Sequence, residues 1–234
     1  MSTLSGANLN KVYSDPRAAL AGLSDGASLL IGGFAGHGEP EGLLEVVIGS
    51  GVRGLTVISQ GAGVPDPGRA DINLLVEEGV VQKLISPLPF DPRRGGPVRD
   101  KWQAGELELE VQPAGVLTER IRAGGAGIGG LFLPTGAGTR FAEGREVRQF
   151  NGRDHVFQPA LKADFALLRA TAADTLGNLT YTGTQRNWNP IMAMAARVTV
   201  VEVDEIREPG GLDPELVITP AIFVQRLVLS GSDS

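Results

Sequence analysis

The stretch from Asp25 to Pro40, DGASLLIGGFAGHGEP, constrains the fold more than any other part of this chain. A Ser-Asp-Gly turn feeds the apolar run Ala27–Ile31, whose length suits a buried strand rather than a helix. The run empties into Gly32, Gly33, Gly36 and Gly38. Behind them, Pro40 precedes the helically spaced Leu43, Leu44, Val46 and Val47. Strand, glycine loop and a helix with proline near its first turn form the unit with which an α/β sheet cradles an anion or cofactor. Without side chains the backbone can approach a ligand closely, and N–H groups at a helix start favour negative charge. The alternative is a tight βα turn that simply needs positive φ, for which one glycine would suffice. Four glycines in seven residues, with Phe34, Ala35 and His37 between them, favour a ligand loop over Gly32–Gly38.

Composition excludes several other chemistries. With no cysteine there is no thiolate nucleophile, disulfide framework or thiolate metal site, and two histidines are too few for a His-rich one. A net charge of −6 argues against a generic nucleic-acid surface. No apolar run approaches the ~20 residues of a membrane span, and the N-terminus lacks a secretory pattern. A soluble, cytoplasmic protein is therefore expected, and the sequon at Asn178 carries no meaning there. The 234 residues contain no clean linker, so they read as a single domain, ordered over about 10–228 and ending in a Ser/Gly tail after Leu229.

Along the chain, Ser14-Asp15-Pro16 predicts a capped helix carrying Ala18, Ala19, Leu20 and Leu23 to the core and ending at Asp25-Gly26. Strands are expected over Leu55–Ser59, Val80–Ile85, Phe165–Arg169 and Val198–Val203, with helices over Asp71–Glu78, Val116–Ala123 and from Asn189 to Arg197. Arg120 and Arg122 fall in the last turn of the second of these helices, and Met192 and Met194 read as core filler in the third. Leu107–Val111 alternates like a half-exposed strand, its acidic side chains with Glu106 forming a solvated face, and Pro87–Pro97 reads as rigid, basic and irregular. Alternating strands and helices predict an α/β fold: an open, mainly parallel sheet with helices on both faces and ligands at the carboxyl ends of its strands.

Other motifs are weaker. Gly125, Gly127 and Gly130 match the dinucleotide fingerprint, but they follow a helix and run into a strand, the reverse of what it requires. His37 reads as a polar rim residue more readily than as a catalyst, and His155 as an exposed residue beside an Asn151-Gly152 hairpin turn. Ser59 and Thr135 lie where a nucleophile could, with no base beside them. Arg186 and Asn187 could hold a carboxylate or phosphate, or Arg186 could pair with Asp174.

The order Asp25-Gly26, Leu29-Leu30-Ile31, Gly32-Gly33-Phe34, Gly38 and Pro40 resembles the signature of the A-type subunit of family I CoA-transferases. Further stretches similar to that family follow in its order: Gly105–Glu110, Glu119–Gly125, Pro134–Thr139, Ala163–Leu167, Gly177-Asn178-Leu179, Arg186-Asn187, Val200–Val203 and Ile218–Arg226. The resemblance implies covalent, ping-pong transfer of CoA between carboxylic acids, with CoA and acyl-CoA as substrates and no bound metal or covalent cofactor. It also implies that the nucleophilic glutamate sits in a Ser-Glu-Asn-Gly motif of a separate B-type subunit, and this chain contains no such motif. No catalytic residue is therefore assigned to it, and a heterodimer or heterotetramer with the B-type CoA-transferase subunit is implied. The loop Gly32, Gly33, Phe34, Ala35, Gly36, His37 and Gly38 would contact CoA, its N–H groups also stabilising the thioester oxygen, and Gln60 would be a supporting hydrogen-bond donor.

Two segments depart from the family pattern, Val64–Gly68 and Pro87–Arg94. In the second, Arg93 and Arg94 could meet a distal carboxylate, as a 3-oxoadipate-type substrate needs, or CoA phosphates, or solvent. These departures leave room for another reading, a non-catalytic protein binding acyl-CoA or a sugar phosphate on the same fold. A stand-alone sugar-phosphate isomerase lacks an evident acid/base pair.

Overall fold

The computed structural model describes residues 10–66 and 68–231. Asp15, as expected, caps α1 (Pro16–Ala19), accepting from the Arg17 N–H. That helix is a single turn and leaves Ala18 exposed, because Leu20 departs from helical geometry and Gly22 follows at φ +92°. Around it the first half comprises β1 (Val12–Tyr13), β2 (Ser28–Ile31), α2 (Glu41–Gly49), β3 (Leu55–Ile58), α3 (Ile72–Glu77), β4 (Val81–Ser86), α4 (Pro97–Gln103) and β5 (Glu108–Val111). Pro40 is the N-cap of α2, next to its first turn as expected. The expected irregular stretch ends one residue early, since Pro97 opens α4, a helix that its charged composition concealed.

The second half comprises α5 (Ala114–Gly125), β6 (Gly130–Leu133), β7 (Val147–Phe150), β8 (Arg153–Pro159), β9 (Ala163–Asp174), β10 (Leu179–Thr180), α6 (Asn189–Ala195), β11 (Ala196–Arg207) and β12 (Arg226–Leu229). Because α5 runs past Ala123, Arg120 lies above its last turn, donating to the Pro159 carbonyl at 2.9 Å. Met192 is buried and Met194 half-buried.

The main sheet has nine strands, eight of them in the parallel order β1-β12-β11-β9-β2-β3-β4-β5, with β10 antiparallel to β9. Alternation along β2 assigns its side chains to two cores. Leu29 and Ile31 pack with Leu43, Leu44, Ile72 and Leu75 from α2 and α3. Leu30 packs with Leu117, Ile121 and Met192 from α5 and α6 on the opposite face. Helices therefore cover both faces of a mainly parallel sheet, as expected.

The strand after the fingerprint-like glycines and the hairpin at Asn151-Gly152 were expected, but not their pairing into the separate antiparallel sheet β6-β8-β7. Its hairpin turns at Asn151 and Gly152, both at positive φ, the type I′ arrangement that suits a two-residue connection. His155 is half-buried there, edge-on to Phe150 at 5.1 Å, rather than exposed. Ser230, assigned to a loose tail, donates to Glu202 and to the Val203 carbonyl, while residues 232–234 lie outside the described residues. No helix among the described residues is long and apolar enough to cross a membrane.

Candidate functional site

From β2 the sheet grows in two directions, through β3, β4 and β5 on one side and through β9, β11 and β12 on the other. Such a switch point opens a crevice at the carboxyl ends of the strands. Here the segments after β2, β3 and β4 wall one groove of about 540 Å³. Phe34, Val64, Leu88, Phe90 and Pro92 make it predominantly apolar, with Asp66, Arg69 and Asp91 as its charged side chains.

The glycine loop forms one wall, in a shape that sequence reasoning did not foresee. Phe34 and His37 exchange backbone hydrogen bonds at 2.9 and 3.0 Å, closing a miniature hairpin over Ala35 (φ +52°) and Gly36 (φ +80°). Both N–H groups are thus engaged within the loop, and the Gly32 N–H bonds the Leu167 carbonyl. They are not available to a ligand anion, which narrows the expected cradle. The glycines also have different reasons to be there. A Cβ on Gly32 would strike the Asn189 amide oxygen. One on Gly33 would lie 2.5 Å from Cγ of Glu39, and one on Gly38 2.8 Å from Cα of Gln185. Those three are small because their own chain packs against them; of the four, Gly36 alone combines positive φ with a place in the groove wall.

The start of α2 is likewise occupied from within. Glu202, 3% exposed on β11, accepts from the Leu43 N–H at 3.2 Å, and a Cβ on Gly42 would lie 3.2 Å from the same carboxylate oxygen. A buried carboxylate takes the place that sequence reasoning gave to a ligand anion at this helix N-terminus. Burial raises the pKa of Glu202, while the Leu43 N–H, Arg169 and Ser230 act to lower it.

A second buried carboxylate, Glu39, escaped the sequence analysis altogether. It is 4% exposed beneath Gly33, and its pKa is pushed up to about 7 by burial and then by the charge of Asp71. Asp71, itself buried, caps α3 through the Leu74 N–H at 2.8 Å and accepts from Asn73 at 3.1 Å. Arg69 donates to Glu41 at 2.5 Å. One signal was present: an acidic residue between Gly38 and Pro40, inside a loop otherwise small or apolar apart from His37.

The other candidates separate. Gln60, half-buried at the end of β3, accepts on Oε1 from Asn187, which also donates to the Gly33 carbonyl at 3.3 Å. Sequence reasoning treated these residues separately; the fold joins them at the base of the loop. Ser59 is buried and Thr135 exposed in the turn after β6. Asp174 accepts from Asn178 at 2.7 Å and forms no ion pair with Arg186 among the described residues. His37 is exposed at the edge of the hairpin. Asp91 accepts from the backbone N–H groups of Arg93 and Arg94, and neither guanidinium forms an ion pair among the described residues. The acidic face of β5 is partnered, since Lys83 bridges Glu108 and Glu110, each at 2.8 Å. The fingerprint-like glycines join the end of α5 to β6, as expected of a decoy. No cluster of His, Cys, Asp and Glu suited to a metal occurs among the described residues.

Residues 13–230 match the model of the coenzyme A transferase family. The chain is 46% identical over 221 residues to the A-type subunit of 3-oxoadipate CoA-transferase from Pseudomonas putida, with 94% of each chain covered. It is also 46% identical to the A-type subunit of succinyl-CoA:3-ketoacid coenzyme A transferase from Xanthomonas campestris, covering 95% of this chain and 90% of that one. Among solved structures it is similar to glutaconate coenzyme A-transferase from Acidaminococcus fermentans, with a TM-score of 0.81 at 21% identity over 94% of this chain and 75% of that one. Acyl-CoA transferase from Escherichia coli O157:H7 gives 0.79 at 20% identity, and this chain, 97% covered, spans half the length of that one. The two structures speak for the fold alone. None of these similarities favours the binding-protein alternative.

Proposed function

Because the chain belongs to the coenzyme A transferase family, we propose that it is the A-type half of a two-chain enzyme that moves CoA from a donor such as succinyl-CoA to a 3-oxoacid. The observation that carries this reading is the near-full-length similarity to relatives named as the A-type subunits of 3-oxoadipate and succinyl-CoA:3-ketoacid transferases. A glutamate of the partner chain attacks the thioester carbonyl, expelling CoA thiolate and forming an acyl-glutamyl anhydride. The thiolate then attacks the glutamyl carbonyl and releases the donor acid. The acceptor acid reverses these two steps and leaves as the new thioester. Supporting this division of labour, the groove's own carboxylates are Asp66 and Asp91, and Asp91 is engaged with the Arg93 and Arg94 N–H groups.

On this reading the chain contributes binding and orientation. Phe34, Ala35 and Gly36 wall the groove that takes the CoA ester, with Gly32, Gly33, His37 and Gly38 shaping that wall. Gln60, its Oε1 held by Asn187, keeps the amide nitrogen as a donor to the acyl oxygen. The assembly is a heterodimer or heterotetramer working in the cytoplasm.

The test is reconstitution. Mixed with a partner chain bearing Ser-Glu-Asn-Gly, the protein is expected to form acetoacetyl-CoA from succinyl-CoA and acetoacetate, and to form none alone. Transfer by this chain alone overturns the two-chain assignment.

A further inference from the structure

The relatives 46% identical to this chain carry names from two acyl classes, one for 3-oxoadipate, whose tail ends in a second carboxylate, and one for a 3-ketoacid. Similarity does not choose between the classes. The groove does. Both segments that depart from the family pattern meet there: Val64 and Asp66 from the first, and Leu88, Phe90, Asp91 and Pro92 from the second. The segments are built against the neighbouring strand ends and against each other. Gly61 and Leu88 pair through their backbones beyond β3 and β4, where a Cβ on Gly61 would lie 2.9 Å from the Leu88 carbonyl oxygen. A Cβ on Gly96, just past the second segment, would lie 2.7 Å from Cγ of Pro65 in the first.

The charged groups of this groove offer nothing to a second carboxylate. Arg69 is the sole cation among the groove's described residues, and it is committed to Glu41 at 2.5 Å. Asp66 and Asp91 are themselves acidic. Arg93 and Arg94 stand outside the groove, exposed in the turn that Asp91 and Gly95 close. There the Asp91 carboxylate accepts their backbone N–H groups at 2.8 and 3.4 Å. A carboxylate brought into the groove would lose water beside two like charges and meet no free cation, which is costly. Methylenes brought there would lose water against Phe34, Leu88 and Phe90, which is favourable. At about 540 Å³ the groove is of the size that holds a drug-sized ligand, so it takes a longer tail than an acetoacetyl group carries.

We infer that this groove is the acyl-tail site and that it selects 3-oxoacids ending in an apolar chain, such as 3-oxohexanoate, against those ending in a second carboxylate, such as 3-oxoadipate.

The inference rests on the function proposed above and specifies its substrate. Gln60, the donor to the acyl oxygen, is followed directly by Gly61 of the groove wall, so an acyl group held at Gln60 has the groove before its tail.

The test uses 3-oxohexanoate and 3-oxoadipate, which share a carbon count and differ only at the far end. Both acids are given in equal amounts to the complex of this chain and its partner, with succinyl-CoA as common donor. They then compete in proportion to kcat/KM, and the donor half-reaction cancels. The 3-oxohexanoyl-CoA formed, read by chromatography, is expected to exceed 3-oxoadipyl-CoA by at least about tenfold. Leu88→Arg, at a position 57% exposed and so able to carry a charge, adds a cation beside Asp66 and Asp91. It should shrink that ratio by about tenfold. Arg93→Ala combined with Arg94→Ala should leave the ratio unchanged. A wild-type ratio near one or reversed, a ratio indifferent to Leu88→Arg, or a selective loss of 3-oxoadipyl-CoA without the two guanidiniums overturns the inference. If the complex transfers no CoA, calorimetry of the chain with hexanoyl-CoA and with adipoyl-CoA separates the two readings. Tighter binding of hexanoyl-CoA upholds the tail site while the proposed function fails; equal binding, or none, overturns the inference as well.

Discussion

Two glutamates are buried near the start of α2, and they are held in opposite ways. Glu202 receives the Leu43 N–H, the Ser230 hydroxyl at 3.0 Å and the Arg169 guanidinium at 3.4 Å. For Glu39, equally buried, burial and the charge of Asp71 outweigh the opposing pull of Arg69 and the Gly36 N–H. Burying a charge is costly unless it is paired and hydrogen-bonded. Glu202 meets that condition and locks β11 to the helix. Glu39 does not, and its pKa is displaced to about 7, whereas burial raises that of Glu202 against the pull of the Leu43 N–H, Arg169 and Ser230. Side by side they separate an anchor from a strained group within a few residues of the same helix.

The largest expected effect is on the anchor. Glu202→Ala leaves the first N–H groups of α2 and the buried side of Arg169 without their acceptor. A loss of about 3–5 kcal/mol is expected for breaking such a buried pair. For a chain of this size that lowers Tm by roughly 6–20 °C, readable by calorimetry. A loss below about 1 kcal/mol would put Glu202 in the same class as an exposed surface group.

The opposite sign is expected at the other glutamate. The pKa of Glu39 rises from 4.5 to about 7 on folding, so the folded state binds a proton that the unfolded chain has released between those values. Its contribution to stability is present below pH 4.5 and is lost as pH rises through 7. Glu39→Gln should therefore raise stability by about 3 kcal/mol at pH 8, with the gain shrinking below about 1 kcal/mol at pH 5. Thermal melts of both proteins at the two pH values check it. A gain independent of pH would assign the effect to packing rather than charge.

This contrast also shows how far the sequence could lead. The apolar run Ala27–Ile31 and the Leu43-to-Val47 spacing revealed β2 and α2 because burial imposes a period on residue type. The decoy at Gly125–Gly130 was recognisable from the order of its neighbours. The short α4 escaped because its charged residues carry no apolar stripe, and the pairing of β6, β8 and β7 because β6 and β7 bury no residue. At the site, the glycines marked a loop that lines the groove, though most of them are small for another reason. Gly32, Gly33 and Gly38 yield to Asn189, Glu39 and Gln185, and two of those three neighbours are about 150 residues away in sequence. Nothing local distinguishes a glycine vacated for a ligand from one vacated for the chain's own side chain. Glu39 and Glu202 were missed for the same reason, because a carboxylate is by default a surface residue and only the fold buries it.

A smaller change tests why Glu39 is strained. Asp71→Asn keeps an oxygen for the Leu74 N–H, so the cap of α3 survives, but it removes the charge facing Glu39. The Glu39 pKa should fall, and the stabilisation available from Glu39→Gln at pH 8 should shrink by roughly 1 kcal/mol, the equivalent of about one pKa unit. A double-mutant cycle between the two positions reads this coupling directly. Strict additivity would leave burial as the sole cause of the shift.

The smallest effect belongs to the best-satisfied group. Ser230 donates to Glu202 and accepts from Arg169 at 3.2 Å, at the chain's last described turn. Removing its hydroxyl in Ser230→Ala leaves Glu202 with the Leu43 N–H and Arg169, so the carboxylate stays compensated and about 1 kcal/mol should be lost, as for an ordinary hydrogen bond. Calorimetry should show Tm lower by roughly 2–4 °C. Since Ser230 is one of the groups holding the Glu202 pKa down, its loss should move that pKa further up, adding to the destabilisation as pH rises. A loss approaching that of Glu202→Ala would mean that the hydroxyl, rather than the helix N-terminus, carries the anchor.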